Sequence, residues 1–275
     1  MEYADPVPVA AIQMVSGVRV ADNLRQAASL IGQAAAAGAK LIVLPEYFCL
    51  LGQDPADKLA IAETAGLGPN QDFLAGQARQ HGIWLVGGTI PVRSPDPERI
   101  YNTCLVFDPS GQPHARYDKL HLFGFQGAHE SYDESLTIRP GDGRNPAFSL
   151  PFGRVGLGIC YDVRFPEFFR AQGDMQVIIL PAAFTHTTGS AHWEILLRAR
   201  AIENQCYVLA SAQGGRHENG RRTWGHTMLV DPWGEIVDCL PEGPGVVSGE
   251  LSAERIRAVR RSLPALHDRV VERLA

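Results

Sequence analysis

Cys160 is the residue from which a chemical reading of this sequence can start. It ends the apolar, glycine-spaced run Val155-Gly156-Leu157-Gly158-Ile159 and opens Tyr161-Asp162-Val163-Arg164-Phe165-Pro166-Glu167, so a thiol is expected at a strand-to-helix junction. At the carboxyl end of an α/β strand ligands gather in the crevice. There the N–H groups of a starting helix lower a thiol pKa and can hold an oxyanion. Glu46 follows Leu44-Pro45 at the end of another buried-strand run, where a carboxylate is costly unless paired or functional. Lys119 lies in a third strand-like run, Arg116 to Leu122. Three strand ends thus present a thiol, a carboxylate and an ammonium.

A thiol nucleophile needs a base, and spacing alone leaves two open. One is a carboxylate such as Glu46; the other is a histidine in a papain-like pair, with His121, His186, His192 and His226 near these runs. A zinc site is weaker, because no H-x-E-H, H-E-x-x-H or paired-cysteine spacing occurs. No G-x-G-x-x-G or P-loop is present either. Cys49, Cys104, Cys206 and Cys239 lack the setting of Cys160 and read as buried packing residues.

The elements that must carry these residues follow from periodicity. Val7 to Met14 is β-prone, Ala21 to Ala37 is alanine-rich and helical up to Gly38, and Leu41 to Leu44 is a buried strand, which makes a βαβ unit. A helix near Gln71 to Gln80, a stop at Gly82 and a strand Ile83 to Val86 repeat the pattern. Cys104 to Phe107 runs into the turn Asp108-Pro109-Ser110-Gly111, and Met228 to Val230 into Asp231-Pro232-Trp233-Gly234. Val177 to Pro181 likewise echoes Leu41 to Pro45. These ordered echoes suggest two similar α/β halves in one body. Residues 121–147 are rich in Gly, His and Asp with little periodicity, which reads as a long functional loop. An amphipathic helix is expected over Ala191 to Asn204. The six arginines of Glu254 to Arg273 read as a solvated helical face, a tail or a subunit contact.

Composition sets outer limits. The 275 residues, 45% hydrophobic and 20% charged, with 28 Gly and 19 Pro, suit an ordinary globular α/β chain of one large domain or two smaller ones. A net charge of −5 provides no basic field for nucleic acid. No apolar run approaches the about 18 residues that a membrane span needs, and the first residues do not form a leader. Five cysteines without C-x-x-C spacing suggest free thiols in the cytoplasm.

Taken together, Leu44-Pro45-Glu46-Tyr47, Lys119-Leu120-His121-Leu122-Phe123 and Gly158 to Glu167 resemble the three signatures of the nitrilase superfamily of carbon–nitrogen hydrolases. The likeness continues through Ala191-His192-Trp193-Glu194, Arg198 to Gln205, Trp224 to Thr227 and Asp231 to Gly234. Ala212-Gln213-Gly214-Gly215-Arg216-His217 is most similar to the Nit branch whose members act as deaminated-glutathione amidases, with ω-amidases as near relatives.

That resemblance implies a four-layer αββα sandwich over one domain, residues 1–275, acting on a small-molecule amide without metal or organic cofactor. It implies a homodimer or higher homo-oligomer. By the same resemblance Glu46 is the general base, Lys119 the electrophilic stabiliser and Cys160 the nucleophile, with the N–H of Tyr161 as an oxyanion donor. A supporting glutamate falls on Glu134, before Ser135 and Pro140-Gly141, with Glu130 as its rival. For a 2-oxo acid amide bearing carboxylates, Tyr47, Arg164, Thr185 and Arg216 are the candidate pocket residues. Arg164 could instead lock the turn after Cys160.

Overall fold

The computed structural model describes residues 6–127, 130–144 and 146–271. The N-terminal residues read above for a leader, and Arg273 of the basic tail, lie outside the described residues. β1 (Val7–Gln13) leads through α1 (Val20–Ala36) to β2 (Leu41–Val43), parallel to it, as the βαβ pattern requires. The short α2 (Asp57–Ala60) and α3 (Pro69–His81) follow. Gly82 closes α3 in the left-handed region, and β3 (Trp84–Val86) then lies parallel to β2. β4 (Ile90–Arg93), β5 (Ile100–Phe107) and β6 (Pro113–Asp118) extend this first sheet with antiparallel pairings.

After a small hairpin, β7 (Gly124–Gln126) and β8 (Ser131–Asp133), the chain builds a second sheet. Its strands β9 (Phe148–Leu150), β10 (Gly153–Leu157), β11 (Val177–Ala182) and β12 (Tyr207–Ala212) are crossed over by α4 (Pro166–Arg170) and α5 (His186–Asn204). A second hairpin, β13 (Gly214–Arg216) and β14 (Arg222–Trp224), precedes β15 (Thr227–Val230) and β16 (Ile236–Leu240). β17 (Gly245–Leu251) then returns to the first sheet and pairs antiparallel with all of β1, ahead of α6 (Ala253–Ser262). The first sheet runs β17-β1-β2-β3-β5-β4 with β6 on β5, and the second β16-β15-β12-β11-β10-β9. Each half of the sequence therefore supplies one sheet, and β17 alone crosses back.

Strand alternation makes the layers. Ala10, Ile12, Ile42 and Leu44 face Leu30, Ile31 and Leu74 of α1 and α3, whereas Val9, Ala11, Leu41 and Val43 join the core shared with Leu157, Ile179 and Leu209 of the second sheet. Trp193 and Leu197 of α5 pack into that same core. The stack is helix, sheet, sheet, helix: the αββα sandwich expected.

Three local differences have physical causes. α5 begins at His186, five residues before the expected start, because the Thr185 hydroxyl caps it by accepting the Thr188 N–H. The 121–147 stretch holds a hairpin and a 3-10 turn, Glu134–Leu136; its three-residue strands are too short for an alternation signal. The arginines of α6 are not only a solvated face. Arg255 pairs with Asp231 at 2.7 Å, and Arg260 donates to the Gln205 and Met175 carbonyls, anchoring the helix to the second sheet.

All five cysteines are free, and four are buried. Burial pushes the thiols of Cys49 and Cys206 up to about 12. Unfolded thiols ionise near 9, so above that pH the unfolded chain releases protons that the folded chain keeps, and stability must fall as pH rises. Each such thiol contributes at most about 1.4 kcal/mol per pH unit. The melting temperature is therefore expected to fall from pH 9 to 11, less steeply in Cys206→Ala. Equal slopes in the two proteins would contradict this.

Candidate active site

The three residues singled out by type meet where the two sheets abut. Glu46 follows β2, and the chain there is tightly constrained. Gly88 sits in the left-handed region (φ 56°), where a Cβ would come within 2.1 Å of the Pro45 carbonyl oxygen. Tyr47 is also left-handed (φ 56°), its N–H donating to Thr89 Oγ1 at 2.9 Å. Lys119 directly follows β6, its N–H donating to the Asn102 carbonyl and its carbonyl accepting from the Gly141 N–H. Cys160 opens a 3-10 turn, Cys160–Arg164, with φ 49°, a conformation costly for a residue with a Cβ and recurrent at functional turns.

That turn is locked by Asp162, which is completely buried. Its carboxylate accepts from the Ile159 N–H (2.8 Å), Tyr117 Oη (2.8 Å), the His121 N–H (3.1 Å) and His121 Nδ1 (2.7 Å). The lock on the turn that Cys160 opens is thus Asp162, not Arg164. His121 lies flat on Phe165, ring centroids 3.7 Å apart. His186 and His226 pack on Trp224, and His192 Nδ1 meets Arg164 at 3.3 Å. Among the described residues no histidine hydrogen-bonds to Cys160, so the geometry favours a carboxylate base over the papain-like pair.

Lys119 Nζ is the hub. It donates to Glu46 Oε1 at 2.9 Å and to Glu134 Oε2 at 2.8 Å, with all three groups inside the protein. Glu46 Oε1 also accepts from Asn102 Nδ2 at 2.9 Å. Glu134 is fully engaged, since Oε1 accepts from Tyr47 Oη (2.6 Å) and Oε2 also from the Phe123 N–H (2.8 Å). Glu130 makes no such contact; its Oε2 accepts from Tyr132 Oη, and of the two glutamates it is Glu134 that contacts Lys119. Burial alone would lower the Lys119 pKa, but the Glu134 and Glu46 charges outweigh it and hold the ammonium well above its ordinary range. Burial would raise Glu134, yet Lys119 and Lys58 bring it below the usual carboxylate value. The Cys160 thiol is pushed well up by burial and by the Glu46 charge, with Lys119 only partly offsetting. The resting sulfur therefore carries its proton at neutral pH, and a base must take it as attack proceeds.

A narrow cleft lies beside Cys160, lined by Phe123, Tyr161, Ala183, Phe184, Thr185 and Thr188. Thr185 lines it, though its hydroxyl is engaged in capping α5. Arg164 borders the cleft, its guanidinium 5.1 Å from the Phe184 ring centroid and 5.6 Å from that of Tyr161. Tyr47 does not line it; its hydroxyl holds Glu134 instead. Arg216 is not brought to the cleft either. It is exposed at the end of β13 opposite Arg222, because strand alternation turns its side chain outward. A roomier hollow of about 450 Å³ near α3, β5 and β6 is open to solvent and contains none of Glu46, Lys119 and Cys160.

Sequence reasoning missed Asn102, Asp162, Tyr117 and Lys58. Asp162 stood in the quoted motif without a role. Asn102 and Tyr117 carry no signal of their own, since only the β5–β6 pairing brings them near Glu46 and Cys160. Gln213 donates to the Glu46 carbonyl (3.1 Å) and Ser16 Oγ (2.8 Å), while His217 contacts the Ser16 carbonyl and Thr223 Oγ1. The Gln213–His217 stretch thus braces the backbone of Glu46 from behind. No group of three or more His, Cys, Asp or Glu among the described residues is placed to hold a metal ion.

A buried thiol, carboxylate and ammonium at the junction of an αββα sandwich define a hydrolase acting on carbon–nitrogen bonds other than peptide bonds. The chain belongs to the carbon–nitrogen hydrolase family, whose model matches residues 8–261. It is 43% identical over 273 residues to a deaminated glutathione amidase from Yersinia enterocolitica, covering 97% of this chain and 94% of the relative. It is 36% identical to the Homo sapiens omega-amidase, covering 95% and 94%. The crystal structure of the C. elegans NitFhit protein superposes with a TM-score of 0.90 at 36% identity, covering all of this chain and 67% of that one.

Proposed function

We propose that this protein hydrolyses the amide of a small 2-oxo acid, deaminated glutathione before 2-oxoglutaramate, through a thioester on Cys160. The observation that carries this reading is the Lys119 ammonium held between Glu46 and Glu134 in the buried junction that also holds the thiol. Glu46 takes the Cys160 proton as sulfur attacks the amide carbon. Lys119 and the N–H of Tyr161 stabilise the oxyanion; one such donor typically contributes about 3 kcal/mol. Collapse breaks the C–N bond as Glu46 passes its proton to the leaving amine. Glu46 then activates a water that cleaves the thioester, releasing the acid and restoring the thiol.

The order of substrates rests on the relatives: the deaminated glutathione amidase is the nearer at 43% identity, the omega-amidase the further at 36%. Release of amine or ammonia should be measured from deaminated glutathione, 2-oxoglutaramate, simple nitriles and N-carbamoyl amino acids. Deaminated glutathione should give the highest kcat/KM, and preference for a nitrile or carbamoyl compound would overturn the assignment.

The whole chain acts, in this reading, as one catalytic domain, with β17 tying its two sheets together. It works as a homodimer: α5 exposes Ile195 and Ile202, with Trp233 also exposed, an apolar surface of the kind that marks a subunit contact. No helix among the described residues is long and apolar enough to cross a membrane. Five free thiols support a reducing, cytoplasmic setting.

A further inference from the structure

One buried charge has no part in the mechanism above. Lys58, on α2, is only 9% exposed, and no carboxylate lies within ion-pair distance of its Nζ among the described residues. Its ammonium rests 3.7 Å from the centroid of the Tyr47 ring, whose hydroxyl holds Glu134. The nearby carboxylates do not neutralise it directly, because both oxygens of Glu134 and Oε1 of Glu46 already bind other donors. A second cation joins it. Arg221 precedes β14, and the turn before it is stapled to the segment leading to α2 by Asn219 Nδ2, which donates to the Leu51 and Gly52 carbonyls. The Arg221 guanidinium lies 4.9 Å from the Tyr132 ring centroid of β8 and likewise has no carboxylate partner among the described residues. Burial, together with Arg221 and Lys119, lowers Lys58 to about 8 against the pull of Glu134 and Glu46.

The two cations carry costs of desolvation and like charge that Glu134 and Glu46 offset only in part at Lys58. An anion entering between them relieves both, through charge-assisted hydrogen bonds from an ammonium and a guanidinium. We propose that Lys58 and Arg221 form the recognition site for the carboxylate on the acyl portion of the substrate, selecting 2-oxo acid amides over neutral amides of the same length. This rests on the amidase reading above and adds the residues that choose its substrate. It also places the selecting charges on α2 and the β13–β14 turn, away from the Gln213–His217 stretch that braces Glu46.

The test compares 2-oxoglutaramate with 4-oxopentanamide, which keeps the ketone and lacks the carboxylate. In Lys58→Met and in Arg221→Met the ratio of kcat/KM for the anionic over the neutral amide should fall at least tenfold, chiefly through KM, and Lys58→Arg should retain most of it. A ratio that stays constant while both substrates decline together would mean a structural role and overturn the proposal. If the unaltered enzyme cleaves neither amide, the site is judged by calorimetry with 2-oxoglutarate on Cys160→Ala, and the amidase reading itself fails if deaminated glutathione is not cleaved either. Binding that disappears in Cys160→Ala/Lys58→Met supports the site; binding that persists there, or is absent from Cys160→Ala, overturns it.

Discussion

Cys160→Ala is expected to lower turnover of every amide substrate by about 10⁴-fold or more while leaving the fold intact, because removal of the nucleophile disables a unit whose members act together. The side chain lost is small, and alanine meets the same backbone cost at φ 49° as cysteine does. The Asp162 network that shapes the turn uses no atom of Cys160, so the melting temperature should stay within a few degrees. Cys160→Ser should be nearly as inactive, since Glu46 would have to deprotonate an alcohol far less acidic than a thiol. Mass spectrometry gives the positive counterpart: the unaltered enzyme, quenched in acid during turnover, should carry an acyl adduct on Cys160 that is missing from Cys160→Ala. Full turnover by Cys160→Ala would end the thioester mechanism.

Lys119→Met is the second large effect, and it combines stability with chemistry. Removing the ammonium leaves Glu46 and Glu134 facing each other in a buried site with no charge between them. Breaking a buried pair from one side typically costs about 3–5 kcal/mol. The change also removes an oxyanion donor, worth about 10²–10³ in kcat. Denaturant unfolding should show the midpoint displaced downward, and the destabilisation should shrink at acid pH, where one carboxylate takes up a proton and the repulsion disappears. Adding Glu134→Gln should recover part of the stability and none of the turnover. A double variant that regained activity would show that Lys119 acts only as a counter-charge.

Much of the site was legible because its chemistry is carried by residue types that are expensive to bury. A glutamate after Leu44-Pro45 and a lysine after a short strand each violate the apolar pattern around them, and that violation is visible in one dimension, whereas Cys160 stands out by its place at a strand-to-helix junction. The fold was legible for a similar reason. Short apolar, β-prone runs at Val7–Gln13 and Leu41–Val43, and glycine stops such as Gly82, mark elements whose type the sequence preserves. Arg216 and Tyr47 show where this reasoning ends. Both side chains were expected at the substrate, yet pairing of β13 with β14 leaves Arg216 exposed, and Tyr47 hydrogen-bonds Glu134.

The amino-acid sequence by itself marked Glu46, Lys119 and Cys160 as the proposed reactive set and determined the strands that end in them and the family to which the chain belongs, because these depend on local pattern and chemical type. Tertiary structure alone decided the rest. It brought Glu134 rather than Glu130 onto Lys119 through the 3-10 turn, closed the Asp162 network on the turn that Cys160 opens, and laid Lys58 on the Tyr47 ring and Arg221 on that of Tyr132. The physical reason is the same in each case. A hydrogen bond or a charge pair depends on distance in space, and where strands from both halves of the chain converge, sequence separation carries no information about that distance.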